Sequence, residues 1–115
     1  MVEYHTLADS GEREEFDTGS QRDSREGKGR FDLIPAEPMF RLARHYELGA
    51  SKYTDNNWKL GQKSSRYMDS ALRHLFCYMR GDRTEDHLSA AAFNIFAIEW
   101  NEECYPDMHD LEGKE

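Results

Sequence analysis

Residues 64–103, SSRYMDSALRHLFCYMRGDRTEDHLSAAAFNIFAIEWNEE, decide the fold, because two helical patterns meet there at a single turn. The first pattern follows Ser64 or Ser65, either of which predicts an N-cap, and Gly81 predicts its C-terminal end. Between them, apolar residues recur every three or four positions, which is typical of an amphipathic helix. The predicted core line of this helix is Met68, Leu72, Leu75 and Met79, widened by Ala71 and Phe76.

The second pattern is a helix that is apolar on two faces. Asp82 followed by Glu85 three residues later resembles a capping box, so we predict that this helix begins at Asp82 and ends near Glu103. One face carries Leu88, Ala91, Ala92, Ile95 and Ile98, and the other carries Ala90, Phe93, Ala97 and Trp100. Such a helix is buried on both sides. A bundle of this size supplies too little cover for it, so we expect the core to be completed by oligomerisation.

The segments before this stretch extend the prediction to a small all-α bundle of three to four helices. A first helix is predicted from about Pro38 to about Tyr53, and residues 54–62 form a loop rich in turn residues. Residues 31–35 predict a short extended anchor, since Pro35 disfavours helix in the residue before it.

The chain therefore divides into three predicted regions. Residues 1–30 form an extended polar arm, because Phe16 is the one large apolar side chain in residues 9–30 and such a stretch buries too little surface to fold alone. This arm is either flexible or a strap that orders on a partner. Residues 31–105 form the helical domain, and residues 106–115 form an acidic tail that we expect to be frayed.

Composition and charge bound the class of protein. A chain of 115 residues suits one domain, and its net charge of −8 argues against a nucleic-acid polymer as partner, because phosphate backbones need clustered cations. No apolar run approaches the ~20 residues of a membrane span, so no membrane partner is expected. Cys77 and Cys104 lack paired spacing and indicate reduced thiols in a cytoplasmic protein. A small phosphorylated ligand is compatible with this charge, since a few focused cations in one cleft suffice.

Polar residues inside the doubly apolar helix mark a candidate pocket wall. His87 and Asn94 lie two helical turns apart on one line, with the small residues Ala90 and Ala91 between them. Small residues leave space that a ligand could fill. The plainer interpretation is a solvated histidine at the helix start and a buried asparagine bonded to backbone.

A charged stripe on the preceding helix offers a second group of candidates. The stripe carries Arg66, Asp69, Arg73 and Arg80, and it is bordered by His74 with Tyr67, Ser70 and Tyr78. Arginine binds phosphate through paired donors and aromatic rings stack on bases, so this combination favours nucleotide binding. The alternative is an ordinary solvated face.

Two loops add further candidates. The end of the first helix and the loop after it carry five residues of nucleotide-binding type, namely Lys52, Tyr53, Asn56, Asn57 and Trp58. Trp58 is either a core plug or a stacking platform. The glycine-rich segment with Lys28 and Arg30 is a flexible cationic loop, but it lacks the Walker pattern. The sequence has no zinc-type spacing of cysteine and histidine and no nucleophile-elbow motif.

These residues belong to segments that together resemble a bacteriophage family, the dATP/dGTP diphosphohydrolase N-terminal domain. The matching segments are EGKGRFDLIP (26–35), YELGASKYTDNNWKLG (46–61), RYMDSALRHLFCYMRGD (66–82) and EDHLSAAAFNIFA (85–97). They cover well over half of the chain, in order and with short gaps. The resemblance implies a fold akin to MazG-type nucleotide pyrophosphohydrolases, which convert a nucleoside triphosphate to a monophosphate and pyrophosphate with Mg²⁺ held by helix carboxylates.

The resemblance also implies roles for the residues singled out above. His74 and His87 would be catalytic and move protons, and Asp86 would bind Mg²⁺ or Mn²⁺. The implied ligand-binding residues are Lys28, Arg30, Lys52, Tyr53, Asn57, Trp58, Arg66, Arg73 and Asn94. The carboxylate set of MazG enzymes is not visible in this sequence, and His87 and Asn94 occupy the helix face where it would be expected.

Three functions follow from these patterns. The first is a phage protein, in the cytoplasm of the infected host, that binds a purine deoxynucleotide and hydrolyses its α–β phosphate bond. The second is a non-catalytic sponge that sequesters a nucleotide signal of antiphage immunity, which the missing carboxylates favour. The third is a structural helical oligomer without a ligand. The small alanines between His87 and Asn94 count against it, because they leave space for a ligand.

Overall fold

The computed structural model describes residues 7–112, which form two compact units. Within the described residues, the first unit ends at Ile34 and the second begins at Pro35. The division falls after Ile34, whereas the composition of the chain changes near residue 31. Most of the regular structure is helical, which confirms the broad prediction of a helical protein. Among the described residues, no helix is both long and apolar enough to cross a bilayer.

A short antiparallel hairpin occupies part of the first unit. Strand β1 (Arg13–Glu15) pairs with strand β2 (Gln21–Asp23). The carboxylate of Asp23 stabilises this hairpin, because it accepts a hydrogen bond from the Ser10 hydroxyl and pairs with the Lys28 ammonium 2.7 Å away. The all-α prediction missed this sheet, since its strands are three residues long and carry no apolar alternation.

The predicted extended anchor at residues 31–35 is a 3-10 turn over most of its length. Phe31–Leu33 forms this turn, and the amide of Ile34 closes it by donating to the carbonyl of Phe31. Ile34 itself is extended, as expected for a residue that precedes proline.

The described part of the second unit contains three α-helices. They are α1 (Ala36–Lys52), α2 (Ser64–Met79) and α3 (His87–Cys104), with a 3-10 turn at Asn57–Leu60 in the loop after α1. Side-chain bonds join Ser64 to Asn101 and His74 to His87, so α2 and α3 run antiparallel. Helix α3 also packs against α1, which makes it the central helix of the unit.

The start of α3 differs from the predicted capping box. The helix begins at His87, because Asp86 rather than Asp82 is its N-cap and accepts a hydrogen bond from the Ser89 amide. Asp82 instead accepts hydrogen bonds from Thr84 within the connecting turn. The prediction failed because an aspartate in a tight turn and an aspartate at an N-cap satisfy nearby amides in the same way.

The face of α2 that packs against α3 is not the predicted one. Tyr67, Ala71 and His74 lie on one helical line and are buried, and of these only Ala71 was expected in the core. Most of the predicted core line is exposed, namely Leu72, Leu75, Phe76 and Met79. On α3, Leu88 and Ile95 also stay exposed. The apolar pattern identified a face that this chain alone does not cover.

Residues 107–111 fold back onto the helices of the second unit, so the expectation of a frayed tail is wrong for them, whereas residues 113–115 of the tail lie outside the described residues. A 3-10 turn at Pro106–Met108 brings the tail back towards the start of α2. There, Asp110 accepts hydrogen bonds from both the amide and the hydroxyl of Ser65. Leu111 packs against the buried cluster that contains Tyr67.

Candidate functional site

A cavity of about 1100 Å³ opens in the second unit. Helix α1, the loop after it, α2, α3 and the turn before α3 all contribute to its walls. The cavity brings together eight of the residues singled out in the sequence, namely Lys52, Tyr53, Asn57, Trp58, Arg73, His74, Asp86 and Asn94. Residues that are distant along the chain therefore share one surface.

Aromatic side chains contribute to the wall of the cavity. Trp58 packs edge-on against Tyr46 and against Trp100, with ring centroids 6.2 and 5.2 Å apart. It is therefore part of a packed aromatic cluster and also lines the cavity. Tyr53 is different, because 60% of its surface is exposed. The Lys52 ammonium lies 5.2 Å from its ring centre. Tyr53 thus has the free face that a stacking platform needs, with a cation beside it.

His74 and His87 face each other between α2 and α3. Their Nδ1 atoms are 2.8 Å apart and both side chains are buried. Glu85 lies beside them, with Oε1 3.6 Å from His74 Nδ1 and 3.9 Å from His87 Nδ1. On the other side, Asp82 Oδ2 is 3.3 Å from His87 Nε2. We call these four residues the histidine cluster.

The hydrogen-bonding partners define the tautomers of the two histidines. The guanidinium of Arg73 only donates, and its Nη2 lies 3.3 Å from His74 Nε2, so that nitrogen accepts. His74 therefore carries its proton on Nδ1 and donates it to His87 Nδ1. His87 in turn carries its proton on Nε2, the nitrogen that faces Asp82. That nitrogen is buried and, within residues 7–112, is not aligned with any hydrogen-bond acceptor.

The electrostatic setting favours the uncharged form of His74. Burial lowers the pKa of His74, and the neighbouring Arg73 cation lowers it further. The hydrogen bonds from Thr84 lower the pKa of Asp82 to about 2, with His87 contributing in the same direction. At neutral pH the cluster consequently presents a neutral His74 next to carboxylates.

Asp86, the residue expected to bind a metal, has other partners. Its two oxygens accept two hydrogen bonds from the Arg41 guanidinium at 2.7 and 3.0 Å and two from Ser89. The Arg41 guanidinium and then the bonds from Ser89 hold the pKa of Asp86 well below its ordinary value. In this arrangement Asp86 connects α1 to the start of α3, and a metal would have to displace Arg41 to reach it.

The other predicted residues fall into four situations. His87 is buried behind His74 and does not line the cavity, and it is not a solvated helix start. Asn94 lines the cavity, while its amide also donates to the Ala90 carbonyl. Arg66 is exposed on α2 and lies outside the cavity. The remaining two belong to the first unit, where Lys28 pairs with Asp23 and Arg30 pairs with Asp32.

Several cavity residues were not identified from the sequence. They are Arg41, Arg44, His45, Tyr46 and Phe93. A signal for part of this set exists, because Arg41, His45 and Lys52 share one line of α1 at spacings of four and seven residues. Phe93 carried no such signal, since it had been assigned to an apolar face of the last helix.

The donor groups near the cavity do not match a magnesium site of the MazG type. Mg²⁺ prefers oxygen ligands, above all carboxylates. Within residues 7–112, two groups of side chains place three metal-binding atoms close together, and both contain His87. One is His74, Glu85 and His87, and the other is Cys77, Asp82 and His87. The described residues therefore offer nitrogen-containing ligand sets rather than a set of three carboxylates.

Comparison with known proteins gives one match. The sequence profile of a family described as dATP/dGTP diphosphohydrolase, N-terminal, matches residues 18–111. This span includes every residue that lines the cavity. No curated protein and no solved structure matches the chain significantly.

Proposed function

Because the chain belongs to the family of dATP/dGTP diphosphohydrolase N-terminal domains, we propose that it binds a purine deoxynucleoside triphosphate and hydrolyses the α–β phosphate bond. One observation carries this proposal: exposed aromatic and cationic side chains line a single cavity of about 1100 Å³. A cavity of this size accommodates a small organic ligand. The combination of ring faces and cations suits a molecule that has both a base and phosphates.

Arg73 and Lys52 are the proposed phosphate ligands. Two other cations of the cavity are already paired, Arg41 with Asp86 and Arg44 with Glu47. Among the described residues, neither Arg73 nor Lys52 has an acidic partner within ion-pairing distance. Their charges are thus available to phosphate oxygens, where a charge-assisted hydrogen bond is strongest.

The base would lie against Tyr53. Stacking on an exposed ring is tolerant of base identity, so selectivity for a purine needs a polar group as well. Asn57 lines the same cavity and offers an amide whose donor and acceptor suit a purine edge.

Hydrolysis would take place near His74. A water oxygen forms a bond to the α-phosphorus while a proton of that water passes to solvent, the bond from that phosphorus to the bridging oxygen breaks, and pyrophosphate leaves. Of the two histidines expected to move protons, only His74 lines the cavity. His87 would act through His74, with which it shares a hydrogen bond.

The products of a single incubation test this proposal. Pure protein is incubated with dATP, dGTP, dCTP and dTTP and a divalent metal, and the mixture is separated by chromatography after the protein has been removed. We expect dAMP or dGMP together with pyrophosphate from the purine nucleotides. Purine nucleotides recovered intact and unbound would contradict both the binding and the hydrolysis.

A nucleotide sponge is the second candidate function. The absence of a set of three carboxylates among residues 7–112 favours it, because metal-dependent pyrophosphohydrolysis of the MazG type relies on such a set. In this case the same incubation would return an intact nucleotide from a tight complex with the protein.

A second copy of the chain is the proposed cover for the exposed apolar residues of α2 and α3. The residues concerned are Leu72, Leu75, Phe76 and Met79 on α2, with Leu88, Ile95 and Phe96 on α3. Contiguous apolar surface of this kind is uncommon on monomers. Light scattering at micromolar concentration should give a mass of at least two chains, and a stable monomer of 13.5 kDa would contradict the proposal.

A further inference from the structure

We infer that His74, Glu85 and His87 bind a divalent transition-metal ion, such as Zn²⁺ or Co²⁺, at the edge of the cavity. The inference deepens the proposed function, on which it rests for its catalytic meaning. It also replaces two earlier assignments. The metal ligand is Glu85 rather than Asp86, and the two histidines hold an ion rather than move protons.

The distances between the three donor atoms carry this inference. The two Nδ1 atoms are 2.8 Å apart, and Glu85 Oε1 lies 3.6 and 3.9 Å from them. The point equidistant from the corners of a triangle with these sides lies about 2.0 Å from each corner, which is the usual length of zinc–nitrogen and zinc–oxygen bonds. The side chains are therefore already spaced for an ion, with only small adjustments.

The hydrogen bonds around the cluster fit the same assignment. Binding through both Nδ1 atoms needs both histidines protonated on Nε2, so the proton that His74 carries on Nδ1 moves to its Nε2 and the ion takes its place between the rings. His87 then keeps its Nε2 proton, which points towards the Asp82 carboxylate 3.3 Å away. A carboxylate behind a metal-bound histidine orients the ring and raises its basicity. This role accounts for a buried nitrogen that otherwise has no aligned acceptor.

Protonation of His74 Nε2 on metal binding would also affect Arg73, which lines the cavity. In the present tautomer, His74 Nε2 accepts from Arg73. Once that nitrogen is protonated, it repels the guanidinium, and Arg73 is released towards the cavity that both residues line. Metal binding would thus present the proposed phosphate ligand.

The ligand types select the metal. Imidazole nitrogen suits Zn²⁺, Co²⁺ and neighbouring ions, whereas Mg²⁺ requires oxygen ligands in octahedral geometry. Three protein ligands also leave a coordination position open, as in catalytic rather than structural zinc sites. Glu85 is 59% exposed at its side chain and His74 lines the cavity, so this position is open to water or to a phosphate oxygen. An ion there would supply Lewis-acid chemistry at the reacting phosphate.

The second group of donors, Cys77, Asp82 and His87, is the weaker site. It would use His87 Nε2, but Asp82 already accepts two hydrogen bonds from Thr84. Neither Cys77 nor Asp82 lines the cavity, so an ion held there would not meet the proposed ligand. The presence or absence of a cysteine ligand distinguishes the two sites.

Titration of the metal-free protein with Co²⁺ tests the site without any nucleotide. Visible absorption reports the coordination of the ion, and competition with Zn²⁺ gives the relative affinity. We expect one ion per chain, unaffected by excess Mg²⁺. His74→Ala, His87→Ala and Glu85→Gln should each weaken binding by at least about a hundredfold, and Asp82→Asn by about ten- to a hundredfold through the orientation of His87. Because Glu85 is exposed, Glu85→Gln keeps the test valid if a histidine variant fails to fold.

Two matched controls make the outcome decisive. His45→Ala removes another histidine of the same cavity, and Cys77→Ser removes the cysteine of the competing site. Both should leave Co²⁺ affinity unchanged, and the spectrum should lack a thiolate charge-transfer band. Failure of the wild-type protein to bind either ion, or equal loss in His45→Ala and His74→Ala, would overturn the inference. So would loss of binding in Cys77→Ser.

Binding of dATP, measured with and without Co²⁺, distinguishes this inference from the proposed function. Nucleotide binding without any metal binding would overturn the metal site and leave the proposed nucleotide ligand standing. One bound ion with the expected variant pattern, but no nucleotide binding, would support the metal site and contradict the proposed function.

Discussion

The antiparallel pair of α2 and α3 carries a buried polar cluster at each end, and only one of these two clusters borders the cavity. At one end, the histidine cluster borders the cavity. At the other, Ser64, Asn101 and His109 form what we call the asparagine cluster. There, Asn101 Nδ2 donates to the Gln62 carbonyl and to Ser64 Oγ, and Ser64 Oγ lies 3.0 Å from His109 Nδ1. None of its three members lines the cavity.

The difference separates polar residues that hold the fold from those available for chemistry. The asparagine cluster uses both protons of a neutral amide and is covered by the folded tail, so its bonds serve to join α2, α3 and the tail. The histidine cluster combines two histidine rings with two carboxylates and borders the open cavity. Burial alone does not distinguish the two ends, since both contain side chains that are less than a tenth exposed.

Asn101→Ala should give the largest effect, and it should fall on stability. The change leaves the Gln62 carbonyl and the Ser64 hydroxyl without their donor, so the free energy of unfolding should drop by about 2–4 kcal/mol in urea denaturation. Asn94→Ala is the matched control on the same helix. Its amide bonds the Ala90 carbonyl, which the helix already supplies with a donor, so we expect a loss below about 1 kcal/mol together with weaker nucleotide binding. Equal losses of stability in Asn101→Ala and Asn94→Ala would contradict the structural role assigned to Asn101.

Arg73→Ala should act on ligand binding at the histidine end. A desolvated arginine–phosphate contact contributes about 1.5–3 kcal/mol, so the Kd for dATP or dGTP should rise roughly ten- to a hundredfold in calorimetric titration. Arg66→Ala is the control, because Arg66 is on the same helix and exposed but lies outside the cavity. Its Kd should match that of the wild-type protein. If Arg66→Ala weakened binding as much as Arg73→Ala, the ligand would not lie in this cavity.

Gly61 precedes α2 and Gly81 follows it, so substituting each glycine with alanine compares backbone strain at the two ends of this helix. Both glycines have a left-handed φ, 89° and 91°, so each substitution should cost roughly 1–2 kcal/mol of stability from strain. A Cβ at Gly61 would also lie 2.7 Å from Met108 Sδ in the tail, whereas Gly81 has open space around it. The melting temperature should therefore fall further for Gly61→Ala. A larger fall in melting temperature for Gly81→Ala would show that the tail does not depend on the close packing of Met108 against Gly61.

Acidification should loosen the tail by a small amount. Hydrogen bonds from the Ser65 hydroxyl and amide lower the pKa of Asp110. A carboxylate whose folded pKa is lowered stabilises the fold above its unfolded pKa of about 3.9, and this contribution is lost as the pH falls through the lower, folded value. The NMR signal of the Ser65 amide should shift in that acidic range. In Asp110→Asn the acid-dependent shift should be absent, and its persistence would assign the transition to another group.

Several candidate residues that are neighbours in the sequence line the cavity, whereas the predicted core face of α2 is wrong. Neighbouring residues such as Arg73 with His74, and Lys52 with Tyr53, were identified from local composition and all line the cavity. The core face of α2 was wrong, because the most apolar line, through Leu72 and Met79, is not the one this chain covers. Hydropathy ranks the faces of a helix, but a face is buried only if another element lies against it.

The amino-acid sequence by itself determined three helices, the turn at Gly81 and the polar character of the residues on each helix line. These features depend on local periodicity and on single-residue conformational preferences. Only the tertiary structure decided that His74 meets His87 and that Glu85 lies beside both. That meeting depends on the antiparallel packing of α2 on α3. Spacing along the chain does not specify which residues of two different helices come together, because that depends on how their surfaces fit.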